Sequence, residues 1–171
     1  MQAAYQCLAE SGFERLRLRD VAAHVGIDHS SIHHHFPTKQ DLVVAVVDHA
    51  TQQFRSTTPP DGSPVERLRH HLATLAQKIV DQPELHIVLR ELDLRARRDP
   101  ELRKIIASHE EGWRNSLHAL LTNAAAAGAL APDVDPATGA ELVIATVKGA
   151  SLSSDRAGDV LELLEQLLIR A

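Results

Sequence analysis

Apolar residues recur at three- and four-residue intervals along nearly the whole chain, and no segment alternates with the two-residue period of a half-buried strand. The pattern predicts helices over 2–11, 18–25, 29–35, 39–55, 64–81, 84–98, 100–127, 136–152 and 158–170. Their ends are punctuated. Ser63-Pro64, Asp99-Pro100 and Asp135-Pro136 each place a capping oxygen before a proline whose fixed φ suits the first helical turn. Gly12, Gly26 and Gly128 follow periodic segments where closing the helix calls for a left-handed residue.

The first helices are mostly short and joined by tight turns. Those after Thr57-Thr58-Pro59-Pro60-Asp61-Gly62 are long and amphipathic, so this stretch reads as a linker. The expected fold is all-α with about nine helices: an N-terminal three-helix module over 1–57 and a C-terminal helical bundle over 58–171. Phe54 is a candidate anchor of the connecting helix. The last two helices, with Leu142, Val143, Ile144, Val147 and Leu152, then Val160, Leu161, Leu163, Leu164, Leu167 and Leu168, are apolar on more than one face and need burial on two sides. A homodimer interface is the economical explanation, with Leu142, Val143, Val160, Leu161, Leu164 and Leu168 as its candidate residues; a monomeric bundle core is the alternative.

Composition narrows the function classes. The 171 residues are 44% apolar and 24% charged, an ordinary globular balance. No stretch reaches the roughly 20 apolar residues that span a bilayer, and no signal-peptide pattern opens the chain, so no membrane partner is expected and a cytoplasmic location is. One cysteine, Cys7, excludes an internal disulfide framework and the usual cysteine-based zinc sites. Neither a glycine-rich phosphate loop, a nucleophile elbow nor paired carboxylates is found, which argues against an enzyme, and no cofactor is expected. With 18 Lys and Arg against 23 Asp and Glu, the overall charge of -5 does not advertise a nucleic-acid binder. Evidence for DNA has to be local.

It is found between Leu18 and Phe36. Val21, Ala22 and Val25 form an apolar patch, Gly26 permits a sharp turn, Ile27 plugs the corner and Asp28 is placed to cap a second short helix that Pro37 ends. This is a helix-turn-helix arrangement, whose second helix enters a DNA major groove. Around its single apolar residue, Ile32, stand His29, Ser30, Ser31, His33, His34 and His35, all able to reach base edges or phosphates. Thr38-Lys39-Gln40-Asp41 reads as a capping box, and Lys39 at that helix N-terminus suits a phosphate. Arg17 and Arg19 are placed to grip the backbone on the other side.

Gly12-Phe13, Leu18-Arg19-Asp20-Val21-Ala22, Val25-Gly26-Ile27 and Ile32-x-x-His35-Phe36-x-x-Lys39-x-x-Leu42 together resemble the signature of the TetR (tetracycline-repressor-like) family over about residues 8–48. The resemblance implies a homodimer with N-terminal DNA-binding modules and a C-terminal ligand-binding and dimerisation core. It puts Arg19, His29, Ser30, Ser31, His33, His34, His35 and Lys39 where such proteins meet DNA. His33 stands where the family most often has tyrosine, and Arg17 where it has Ser or Thr. The basic residues that usually precede the first helix are absent, so either the start is truncated or an arm is lacking. Residues 1–57 hold five Lys and Arg, six Asp and Glu and six His, a weak electrostatic footprint unless histidines are protonated.

The remaining histidines invite other chemistry. Consecutive His33-His34-His35 diverge around a helix and cannot share one ion, and His29/His33 lack a third ligand at a suitable spacing, so no metal is expected. His70-His71 read as a solvated edge. In the long helix His109 and Trp113 put polar handles on an otherwise apolar stripe, and with His86, Leu89, Leu92, Leu117 and Val147 they form a candidate pocket for an unknown small-molecule effector; a satisfied core pair is the other reading. The leading functional expectation is a ligand-responsive repressor on an inverted-repeat duplex; the alternative is a DNA-binding regulator without a small-molecule ligand, controlled by a protein partner or by concentration.

Overall fold

The computed structural model describes residues 1–55 and 61–170. Most of the predicted linker, the expected division at 57/58 and the proposed anchoring by the Phe54 side chain lie outside the described residues. The helices are α1 (Gln2–Arg15), α2 (Leu18–Val25), α3 (His29–His35), α4 (Lys39–Arg55), α5 (Pro64–Asp81), α6 (Pro83–Ala96), α7 (Pro100–Ala126), α8 (Pro136–Ala150) and α9 (Ala157–Leu168), with a single 3-10 turn at Ser154–Arg156. Among the described residues there is no strand, only one isolated bridge between Leu130 and Ile169.

The expected punctuation is present. Ser63 Oγ accepts from the Glu66 N–H while Glu66 reaches back to the Ser63 N–H, a complete capping box. Asp99 Oδ1 accepts from the N–H groups of Glu101 and Leu102, and Asp135 accepts from that of Thr138. Gly12 does not end the first helix but breaks it: at φ 73°, ψ 169° it lies where side-chain-bearing residues are strained, and one more turn follows through Arg15.

The described residues form two compact units. The first comprises Met1–Gln52 and Glu84–His109, so α6 and the start of α7 group with the N-terminal helices. Its interior holds Leu8, Leu16, Leu42, Val43, Val46, Val47, Val88, Leu92 and Leu102, each at most 1% exposed. The Tyr5 hydroxyl donates to the Val46 carbonyl at 3.2 Å and ties α1 to α4.

The second unit takes in Gln53–Pro83 and Glu110–Ala171. Here α9 packs on α5 and α8, the Arg69 guanidinium meets Glu165 at 3.2 Å, and Gly139 is approached so closely by Leu121 and Val134 that an added Cβ would lie 3.2 Å from each. The chain end returns to the α7–α8 loop, where Ala131 N–H donates to Leu168 O and Arg170 N–H to Ala129 O, both at 2.9 Å.

His71 is not on a solvated edge: it is 2% exposed, because α5 turns Leu68, His71, Leu72 and Leu75 to one side. Burial, with the neighbouring His70 adding repulsion, pushes its pKa down to about 4. An unfolded chain therefore takes up the proton from about pH 6.5 downward while the folded one resists it until about pH 4. Stability is expected to fall across that window, by up to roughly 3 kcal/mol from this group. Denaturant unfolding at the two ends of the window should show a smaller loss for His71→Gln than for wild type; parallel profiles would contradict the assignment.

Candidate nucleic-acid interface

The helix-turn-helix forms, with two departures from its pattern: Val25 and Ile27, expected in the apolar patch and at the corner, are 54% and 40% exposed. α2 buries Leu18, Val21 and Ala22, and Gly26 closes it in the left-handed region at φ 75°, ψ 31°. Gly26 and Ile27 N–H groups bond back to Ala23 O and Ala22 O. α3 then sits on the module through one buried side chain, Ile32, 3% exposed. Asp28 occupies the cap position of α3, but its side chain makes no capping bond; its carbonyl receives the Ser31 and Ile32 N–H groups instead.

Every other polar residue of α3 is exposed: His29, Ser30, Ser31, His33, His34 and His35. Arg17 and Arg19 are exposed as well, Arg19 lying 3.5 Å from the Asp20 carboxylate. The His29 and His33 rings meet edge to face with centroids 4.4 Å apart, and those of His34 and His35 lie 5.8 Å apart. Among the described residues no group of three or more His, Cys, Asp or Glu could hold a metal ion.

His33 Nδ1 lies 3.3 Å from the Pro37 carbonyl oxygen. A carbonyl only accepts, so this contact is a hydrogen bond in the tautomer whose Nδ1 carries the proton. In the neutral ring Nε2 is then an acceptor, suited to a base amino group. In the protonated ring it donates, suited to a phosphate.

Lys39, expected at a phosphate, is engaged within the protein. Its ammonium donates to the Phe13 carbonyl at 2.5 Å, lies 3.5 Å from the Glu14 carbonyl and sits 4.6 Å from the centre of the Phe13 ring. Desolvation at this site lowers its pKa, against a raising contribution from Glu14. The Arg95 guanidinium covers the same ring, also at 4.6 Å, and pairs with Glu14, while Glu91 Oε1 accepts the Phe13 N–H at 3.2 Å. The capping box is real, with Thr38 N–H and hydroxyl both donating to Asp41. The sequence pattern reads Arg95 as part of a solvated helix end or a partner for the helix dipole and gives Glu91 no role; their i, i+4 spacing on α6 is the local signal they carry.

The seven pocket candidates divide between the two units. His86, Leu89, Leu92 and His109 belong to the first, and Trp113, Leu117 and Val147 to the second. His86, Leu92, Leu117 and Val147 are buried, whereas Leu89 and Trp113 are half-buried. His109 bonds to Asp48 and Thr51 of α4.

The interface candidates also divide. Leu142 and Val160 are exposed at 45% and 41%, but Val143, Leu161, Leu164 and Leu168 are at most 3% exposed and belong to the interior of the second unit. The outward apolar residues of α9 are Val160, Leu163 and Leu167.

Residues 1–46 match the family of bacterial regulatory proteins, tetR family, and residues 64–163 match the tetracyclin repressor-like C-terminal domain. The chain belongs to the TetR family. An HTH-type transcriptional repressor of Mycobacterium tuberculosis is 37% identical over 86 residues, covering 47% of this chain and 45% of that relative, so the match spans just under half the relative's length. The HTH-type transcriptional repressor AcnR of Corynebacterium efficiens is 25% identical over 171 residues, 98% of this chain and 86% of the relative. Among solved structures, a TetR transcription regulator from Haloarcula marismortui superposes with a TM-score of 0.80 at 21% identity, covering 99% of this chain and 95% of that one. A TetR-family regulator from Rhodococcus sp. reaches 0.78 at 23% identity, covering 98% and 95%. The TetR-family fold is thus all-α, with a helix-turn-helix ahead of a helical C-terminal domain, and among the described residues no helix is long and apolar enough to cross a membrane.

Proposed function

We propose that this TetR-family chain is a transcriptional repressor that binds an inverted-repeat operator as a homodimer and is released by a small molecule held in its C-terminal domain. The observation that carries the reading is α3: a helix seated by Ile32 alone, behind a left-handed Gly26 turn, with all its polar side chains exposed. A helix so mounted can enter a major groove without disturbing the core. His29, Ser30, Ser31, His33, His34 and His35 supply the base and phosphate contacts, and Arg17 and Arg19 meet the backbone. Two modules on a two-fold axis reach successive major grooves.

Release by an effector requires only that it bind better to a state whose two reading helices are wrongly spaced. The names of the relatives, which call them repressors, support the direction of regulation. The chain has five aromatic residues, which favours an effector held by aliphatic contacts over one stacked between flat rings.

The test is base preference. His29→Ala and Ser31→Ala should each relax selectivity at one or two base pairs per half-site, by about 1–3 kcal/mol. Competition against single-base operator variants measures this. Uniform weakening across all sequences would remove both residues from the base-reading set.

A further inference from the structure

Asp48 and Thr51 lie about one turn apart on α4, and both reach the same imidazole. His109 Nε2 is 2.8 Å from Asp48 Oδ1, and His109 Nδ1 is 3.0 Å from Thr51 Oγ1. The Thr51 hydroxyl is also 2.9 Å from the Val47 carbonyl oxygen and 3.0 Å from that of Asp48. A hydroxyl has one proton to give. With neutral His109, Nε2–H donates to the Asp48 carboxylate, Nδ1 accepts the Thr51 proton, and the hydroxyl has none left for α4. With the ring protonated, both nitrogens donate. Thr51 then accepts from Nδ1 and turns its own proton to the Val47 carbonyl, while Nε2–H and Asp48 become an ion pair.

Both states are fully bonded, but the protonated one joins α7 to α4 by two charge-assisted bonds where the neutral one has a single such bond, to the Asp48 carboxylate. The site is open enough to exchange protons, the His109 and Asp48 side chains being 24% and 50% exposed. His49 lies against the Tyr5 ring with centroids 5.7 Å apart, and Glu110 pairs with Lys148. The Asp48 carboxylate faces this imidazole.

The consequence for DNA follows from where α4 lies. It begins at Lys39, just beyond the end of α3 at His35, and its Val43, Val46 and Val47 are buried in the unit that carries the reading helix. We propose that His109 is a positioning residue for the DNA-binding module: by taking up a proton it tightens the tie between α7 and α4 and raises operator affinity as pH falls. The proposal rests on the operator-binding reading above.

Operator affinity measured from about pH 8 to about pH 6 at fixed ionic strength tests it in wild type and His109→Gln. The α3 histidines contribute equally to both proteins, so the ratio isolates His109. Wild type should gain roughly threefold to tenfold more affinity than the variant, the weight of a charge-assisted bond over a neutral one. Thr51→Val should remove part of that gain. Nitrogen-15 spectra of the His109 ring in the wild-type protein should show an Nε2–H tautomer at the alkaline end and both nitrogens protonated at the acid end. Parallel affinity profiles would overturn the proposal while leaving operator binding intact, and an Nδ1–H tautomer at the alkaline end would overturn it from the spectra alone. Failure to bind an operator at any pH would overturn both readings.

Discussion

Leu163→Glu combined with Leu167→Glu is expected to convert the protein to monomers and to cut operator affinity by roughly a hundredfold or more. α9 sorts its leucines by side. Leu161, Leu164 and Leu168 are 2%, 3% and 0% exposed, whereas Leu163 and Leu167 are 56% and 58% exposed and lie one turn apart. With Val160 at 41%, they make an apolar stripe that no part of the second unit covers. Carboxylates there leave the interior leucines in place, so the fold should survive. What is lost is the partner: burying two charges at an apolar interface without counter-charges is strongly unfavourable. A monomer binds one half-site and forfeits the effective concentration that links the second, which is commonly worth a factor of 10²–10⁴. Light scattering and operator titration on the same preparation check both parts. A persistent dimer would remove α9 from the interface, and a monomer with undiminished affinity would show that dimerisation does not serve DNA binding.

Lys39→Ala is the second large effect, and it is expected to register first in stability. Its ammonium joins the N-terminus of α4 to the end of α1, donating to the Phe13 carbonyl and lying over the Phe13 ring that Arg95 covers at the same distance. Removing a charge-assisted bond and a cation–π contact from a partly desolvated site should cost about 1–3 kcal/mol. Operator affinity should fall because the corner that seats α2 and α3 is loosened. The dependence of affinity on salt should change by well under one unit, since a cation engaged with carbonyls releases few counterions from DNA. Thermal unfolding and a salt series on the variant measure the two quantities. A salt slope reduced by a full unit at unchanged stability would return Lys39 to a phosphate.

Local signals in the sequence carried the elements and the reading head. Gly26 stands where a left-handed closure is needed, Ile32 is the one apolar residue of its helix, and three capping oxygens precede three prolines; each reports its role within four residues. What local spacing does not carry is the side a residue faces and its distant neighbours. α9 is leucine-rich on all faces, so periodicity alone cannot tell Leu163 from Leu164; only the position of α5 and α8 decides which is interior. Lys39 has a helix N-terminus in its own segment, but its acceptor at Phe13 is 26 positions away and invisible to spacing. The tie from His109 to Asp48 and Thr51 spans a still longer separation for the same reason. His71 was legible after all, since Leu68, Leu72 and Leu75 place it on the buried side of α5.

Selection of binding sites from a random duplex pool at low salt tests whether this chain reads an inverted repeat as a dimer. The expected result is enrichment of a two-fold symmetric sequence whose half-sites are centred about one helical turn, 10–10.5 base pairs, or a multiple of it apart. Enrichment of an unpaired half-site would contradict the dimeric reading. A folded protein that enriches no sequence at all would contradict DNA recognition by α3.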